Sequence, residues 1–150
     1  TLNNQAGNNT WTGNLTVDTG AHASNRALLN SDAGKLTVSG NIHLSAGTQD
    51  FVLRGEGDGE ISGQLTGSQR LFKSSSGSGT WILSGDNSST FTGRTSISNG
   101  AIQVASEANL GAVPGSAVAN QLTLGGSSTN GTLRTTGTMS LSGNRGVTLS

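Results

Sequence analysis

Seven times along this chain two aliphatic residues stand two apart around a single residue: Leu15/Val17, Leu36/Val38, Ile42/Leu44, Ile102/Val104, Leu122/Leu124, Met139/Leu141 and Val147/Leu149. A period of two belongs to a strand with one buried face, because successive side chains leave a pleated ribbon on opposite sides. The intervening residues, Thr16, Thr37, His43, Gln103, Thr123, Ser140 and Thr148, are mostly small hydroxyl side chains that strands tolerate. Helical periodicity is confined to residues 106–111, where Ser106 can cap a single turn and Gly111 can close it.

This ordering decides a question that composition leaves open. Gly makes up 24 of 150 residues and Pro only 1, with Ser, Thr and Asn filling much of the remainder, a mixture that suits disorder or a linker. A linker would scatter its apolar residues; here they alternate. Candidate strands are centred on Thr16, Leu28, Thr37, His43, Val52, Ile61, Leu71, Ile82, Ile97, Gln103, Thr123, Leu133, Ser140 and Thr148, about every ten residues, with Gly, Asn, Asp and Ser between. The chain is therefore expected to be all-β: a sandwich, a barrel or a solenoid.

Two features pull in opposite directions. Asn99-Gly100 and Asn130-Gly131 are strong hairpin signals and favour an antiparallel sandwich. In a solenoid, however, Asn and Gly would serve equally well as left-handed corner residues. Against the hairpins stands an internal repeat. Residues 8–21 lie on residues 88–101 without a gap, at a constant offset of 80, with Thr10/Thr90, Thr12/Thr92, Gly13/Gly93, Gly20/Gly100 and Ala21/Ala101 identical and Trp11/Phe91 conservative. Copied units that cannot bury their own apolar face are stacked on one another. Coils of about twenty residues would give about seven coils, rising about 4.8 Å each. The 3% aromatic content suits a core that narrow.

The phrase over residues 59–111 then becomes informative. Ile61-Ser-Gly63, Leu71-Phe-Lys73, Gly79-Thr-Trp-Ile-Leu-Ser-Gly85, Thr90-Phe-Thr-Gly93, Gly100-Ala-Ile-Gln-Val104 and Leu110-Gly111 occur in that order. This stretch resembles the autotransporter-associated β-strand repeat of bacterial surface passengers. The resemblance implies a right-handed parallel β-helix and a single segment, residues 1–150, cut from a longer repeat protein. It would hold a partial copy over about residues 1–58, a full copy over 59–111 and the start of the next over 112–150. It further implies an extracellular or cell-surface display role, without catalysis or cofactor, supporting adhesion or self-association. The partners implied are a host or neighbouring-cell surface, glycans, or other copies of the chain.

The charge pattern excludes other classes. Lys+Arg 8 balances Asp+Glu 8, and only 11% of residues are charged against about a quarter in ordinary domains, so no footprint for nucleic acid or an anionic membrane is present. No apolar run reaches the ~18 residues of a membrane-spanning helix, so membrane insertion by this segment is not expected. With no cysteine, thiolate metal sites and cysteine nucleophiles are impossible.

Among candidate sites, Glu56, Asp58 and Glu60, with Asp50 nearby, could share one side of a strand and hold Ca²⁺, or act as acid and base on a polysaccharide. A glycine-interleaved acidic stretch reads more simply as a solvated turn, and no catalytic, cofactor or metal residue is assigned. His22 and His43 lack metal-ligand spacing, and His43 alternates outward. Arg54, Arg70, Arg94, Arg134 and Arg145 could line a face for acidic sugars, but read as solubilising charges that discourage edge pairing. Trp81 shares a face with Leu83 and is expected to point inward, with Trp11 and Phe91 in equivalent positions of their copies.

Overall fold

The computed structural model describes residues 1–18, 26–45, 47 and 49–150. Among these residues sixteen strands, numbered in chain order, form three parallel sheets. The first sheet stacks β1 (Leu2–Asn4), β4 (Ala27–Ser31), β7 (Phe51–Arg54), β10 (Leu71–Lys73), β12 (Thr95–Ile97), β14 (Val118–Leu124) and β16 (Arg145–Leu149). The second stacks β2 (Asn8–Trp11), β5 (Lys35–Val38), β8 (Asp58–Ile61), β11 (Thr80–Leu83), β13 (Gly100–Val104) and β15 (Gly131–Thr135). The third holds β3 (Leu15–Val17), β6 (Ile42–Leu44) and β9 (Leu65–Gly67).

Every pairing between these strands is parallel, and each strand pairs with strands one circuit away in the chain. The chain is thus a β-solenoid of about six turns, close to the seven expected. One inward column of the first sheet runs Leu2, Leu29, Leu53, Lys73, Ile97, Leu124, Leu149, so successive circuits take 27, 24, 20, 24, 27 and 25 residues rather than a constant twenty.

The antiparallel sandwich is overturned. Among the described residues, antiparallel pairing is limited to the isolated Gly126–Thr129 bridge. Asn99-Gly100 is the corner between β12 and β13, and Asn130-Gly131 leads into β15; neither closes a hairpin. Nor do Asn and Gly share the corners equally. Among the described residues, no residue other than glycine has positive φ, whereas Gly7, Gly34, Gly55, Gly77 and Gly100 do.

Close approach explains that preference. At the corner between the second and third sheets, Gly13, Gly40, Gly63 and Gly85 lie one above another. A Cβ on Gly40 would stand 2.1 Å from the Gly13 carbonyl oxygen, one on Gly63 2.1 Å from that of Gly40, and one on Gly85 2.3 Å from that of Gly63. Backbone rests on backbone there, and the ladder spacing of about 4.8 Å leaves no room for a methyl group.

These contacts identify the true equivalences. Trp11 is in register with Val38, Ile61 and Leu83 in the second sheet, while Val17, Leu44, Gly67 and Phe91 follow one another along the third. The offset of 80 therefore aligns phrases on different walls. Trp11 is 43% exposed at the first coil and Phe91 is buried. Trp81 points inward, as expected, and is fully buried beneath Gly59, where a Cβ would fall 2.3 Å from the indole ring.

Other departures are local. Strands β1, β2 and β9 were not expected, because Leu2–Asn4, Asn8–Trp11 and Leu65–Gly67 carry little alternation. No strand forms at Ser140; Met139 packs partly against the core and Leu141 is exposed. The short turn appears as a 3₁₀ helix, Glu107–Leu110, with Asn109 Oδ1 accepting from the Ser106 backbone N–H at 2.9 Å.

A corner substitution separates this account from simple propensity. Gly63→Ala is expected to lose about 1–3 kcal/mol in urea unfolding through overpacking. Gly115→Ala, with nothing within 4 Å of the added Cβ, should stay within about 0.5 kcal/mol. Equal effects would remove the stacked-backbone explanation.

Candidate functional site

The acidic stretch lies across a corner and a strand, not in a solvated turn alone. Gly55 turns the chain out of β7 at φ 110°, Glu56 follows, and Asp58 and Glu60 stand on the outer side of β8 with Gly59 and Ile61 buried between and after them. The spacing does bring Asp58 and Glu60 to one face. Each carboxylate is nevertheless committed to a neighbouring coil. Glu56 accepts from the Ser78 hydroxyl at 2.7 Å and its N–H at 3.1 Å, Asp58 from the Thr80 N–H at 2.9 Å, and Glu60 from Lys35 Nζ and from the Ser84 hydroxyl at 2.9 Å. The Ser78 hydroxyl and then its N–H hold the Glu56 carboxyl below the usual carboxylate range, and Lys35 does the same for Glu60. Among the described residues, no cluster of three His, Cys, Asp or Glu side chains is arranged to hold a metal ion.

Asp50 is likewise engaged, by Arg70 Nε at 2.7 Å and by Nη2, while that guanidinium lies 4.9 Å over the Phe72 ring. The five arginines do not share a face. Arg54 ends β7 in the first sheet, Arg134 lies in β15 of the second, and Arg70 and Arg94 each precede a first-sheet strand. Arg145 is not a solubilising charge at all. It is 3% exposed, pairs through Nε with Glu107 at 3.0 Å, and donates to the carbonyls of Leu110, Gly111 and Ala112 at 3.3, 2.8 and 3.0 Å. Carbonyls left over where the short helix ends need donors, and a planar guanidinium reaches three of them.

His43 is exposed on β6, with Nδ1 2.8 Å from the Thr66 hydroxyl; His22 lies outside the described residues.

Sequence reasoning passed over Lys73. It occupies the inward column between Leu53 and Ile97, fully buried, with Nζ donating to the Gly77 carbonyl at 2.8 Å. Desolvation lowers its pKa to about 8, against a weaker opposing pull from Glu56. Only its place two residues after Leu71, on the same face, could have signalled this.

Above that corner, between the first and second sheets, is a groove of about 250 Å³ lined by Asn30, Asp32, Arg54, Glu56 and Ser76, with Gly55 and Gly77 as its floor. Lys73 and Thr95 apart, the inner columns of the first sheet are apolar and closed, so chemistry is confined to such corners and to the outer faces. Among the described residues, no helix is long and apolar enough to cross a membrane.

Residues 76–104, which run from this corner through β11, β12 and β13, match the model of the passenger-associated-transport-repeat. The chain carries an autotransporter passenger repeat. The adhesin BmaC autotransporter of Brucella suis biovar 1 (strain 1330) is 31% identical over an alignment of 172 residues that covers 95% of this chain. The chain spans 5% of that relative's length. No solved structure matches. The passenger repeat and the coil stack describe the same object, since the matched segment contributes one strand to the first sheet and two to the second.

Two outcomes test these buried charges. Because Lys73 titrates at about 8 in the fold and at 10.5 when unfolded, the unfolded chain binds more protons between those values. Stability should therefore climb as pH rises from about 8 towards 10.5, while the penalty remains whole below 8. Lys73→Met should raise stability at pH 7 by up to about 3 kcal/mol, a gain that shrinks through the same window in pH-dependent urea melts. Arg145→Ala should cost about 3–5 kcal/mol, since it removes the cation paired with Glu107 and the donor to three carbonyls.

Proposed function

We propose that this chain is a display module of a surface or secreted bacterial adhesin, a rigid stack of coils that carries adhesive contacts outward and has no catalytic role. The observation behind this reading is the parallel ladder that runs from β1 to β16, combined with a passenger repeat and an adhesin relative. In such a stack each coil contacts only its neighbours, so length and stability grow together and the rod can be extended by copying coils. Outer positions supply Thr10, Thr37, Gln103, Thr123 and Thr148, polar groups that make many weak contacts instead of one deep one.

The commitment of Glu56, Asp58, Glu60 and Asp50 to partners on adjacent coils also supports a structural role for them. Location at the cell surface or outside the cell follows from the same reading.

Beads coated with the purified chain provide the test, measured for attachment to cultured host cells and for clumping with one another, beside beads bearing an unrelated β-protein of equal mass. Attachment or clumping above the control is expected, with no release of reducing ends from surface polysaccharides. Beads that do neither, or a polysaccharide-cleaving activity lost in Glu56→Gln or Glu60→Gln, would overturn the reading.

A further inference from the structure

We propose that the groove over Gly55 and Gly77 is a subsite for one neutral hexose unit of a glycan, with Arg54 as donor and Asp32 and Glu56 as acceptors. The proposal rests on the adhesive reading above and names its contact.

The groove is polar and specific in its inventory. The Arg54 guanidinium has no hydrogen bond or ion pair with the described residues, which leaves its N–H donors open beside three acceptors. Glu56 spends Oε2 on Ser78 and leaves Oε1 uncommitted. Asp32 is held in place by Asn30 Nδ2 at 2.7 Å and Asn3 Nδ2 at 3.2 Å, one bond to each oxygen, and every carboxylate oxygen can accept again. Asn30 gives its amide N–H groups to Asn3 and Asp32, so its carbonyl oxygen also remains. Donors and acceptors side by side fit vicinal hydroxyls, because each hydroxyl both donates and accepts.

Charge and shape choose among ligands. One guanidinium against two carboxylates disfavours a phosphate or acidic sugar, and the guanidinium disfavours a bare cation. A groove of about 250 Å³ has room for one six-membered ring. The floor is bare backbone by necessity: a Cβ on Gly55 would stand 1.9 Å from the Ser31 carbonyl oxygen, and one on Gly77 2.3 Å from the Gly55 carbonyl carbon. Rigid backbone and locked neighbours pre-organise the site, which lowers the cost of ordering it around a ligand. With no aromatic side chain in the lining, single-site affinity falls in the millimolar range, and useful attachment comes from many copies on one surface.

The fold supplies its own reporter. The Trp81 indole N–H donates to the Arg54 backbone carbonyl at 3.3 Å, directly beneath the groove. With Trp11→Phe as background, Trp81 is the sole tryptophan. Its fluorescence is followed during titration with D-glucose, D-galactose, D-mannose and N-acetylglucosamine, with glycerol and glucuronate as controls, and binding is repeated by calorimetry.

A saturable response to at least one hexose is expected, weakened tenfold or more by Arg54→Gln and reduced by Glu56→Gln, with thermal midpoints confirming that both variants fold. The proposal is overturned by silence from all four hexoses in both measurements, by unchanged affinity in the two variants, or by tighter binding of glucuronate. Bead attachment separates the two levels: Arg54→Gln beads that attach as well as the parent sink the groove and leave the adhesive reading standing, whereas parent beads that never attach sink the adhesive reading itself.

Discussion

Stacked backbone at the corners is the constraint on which this structure depends. Parallel ladders set coils about 4.8 Å apart wherever strands pair, but a closed circuit must also turn at that spacing, and there the main chain of one coil touches that of the next. The Gly13–Gly40–Gly63–Gly85 stack meets this demand with contacts that a Cβ on Gly40, Gly63 or Gly85 would break. Gly34, Gly55, Gly77 and Gly100 meet it while also taking positive φ. Glycine that weakens most folds therefore stabilises this one, and a composition suited to a linker yields a rod.

With the corners fixed, side chains sort by column. Inward columns fill with Leu, Ile, Val and Phe, and the few irregular occupants are compensated locally. Trp81 enters because Gly59, its neighbour on the adjacent coil, has no side chain, and its indole N–H finds the Arg54 carbonyl. Lys73 keeps its amine at the rim, against the Gly77 carbonyl. The Thr95 hydroxyl, one coil beyond Leu71 in the adjacent column, is buried, finds no hydrogen-bond partner among the described residues and marks a place where the stack carries an unrelieved cost.

Outer columns work differently, because polar side chains there bond upward and downward along the rod. Asn14 accepts from the Asn41 N–H and Asn41 from the Gln64 N–H, each at 2.9 Å. Glu56 and Asp58 repeat that pattern one wall away. Carboxylates that look like a site in one dimension are thereby distributed among coils, while Arg54, whose donors are open among the described residues, lies where corner glycines hollow the surface.

Alternation, repetition and the motifs from Ile61 to Gly111 were enough to read the class of fold, the inward face of Trp81 and the outward face of His43, because each depends on neighbours within a few residues. The true register was out of reach. Circuits of 20 to 27 residues place Trp11 over Val38 and Phe91 over Gly67, so the most similar phrases are not the stacked ones. The burial of Lys73 and Arg145 and the groove beside Arg54 arise from contacts a full coil or more apart, which only the closed circuits bring together. Local chemistry determined that this chain would be a stack of short strands; the unequal lengths of its circuits, visible only in three dimensions, decided which side chains meet.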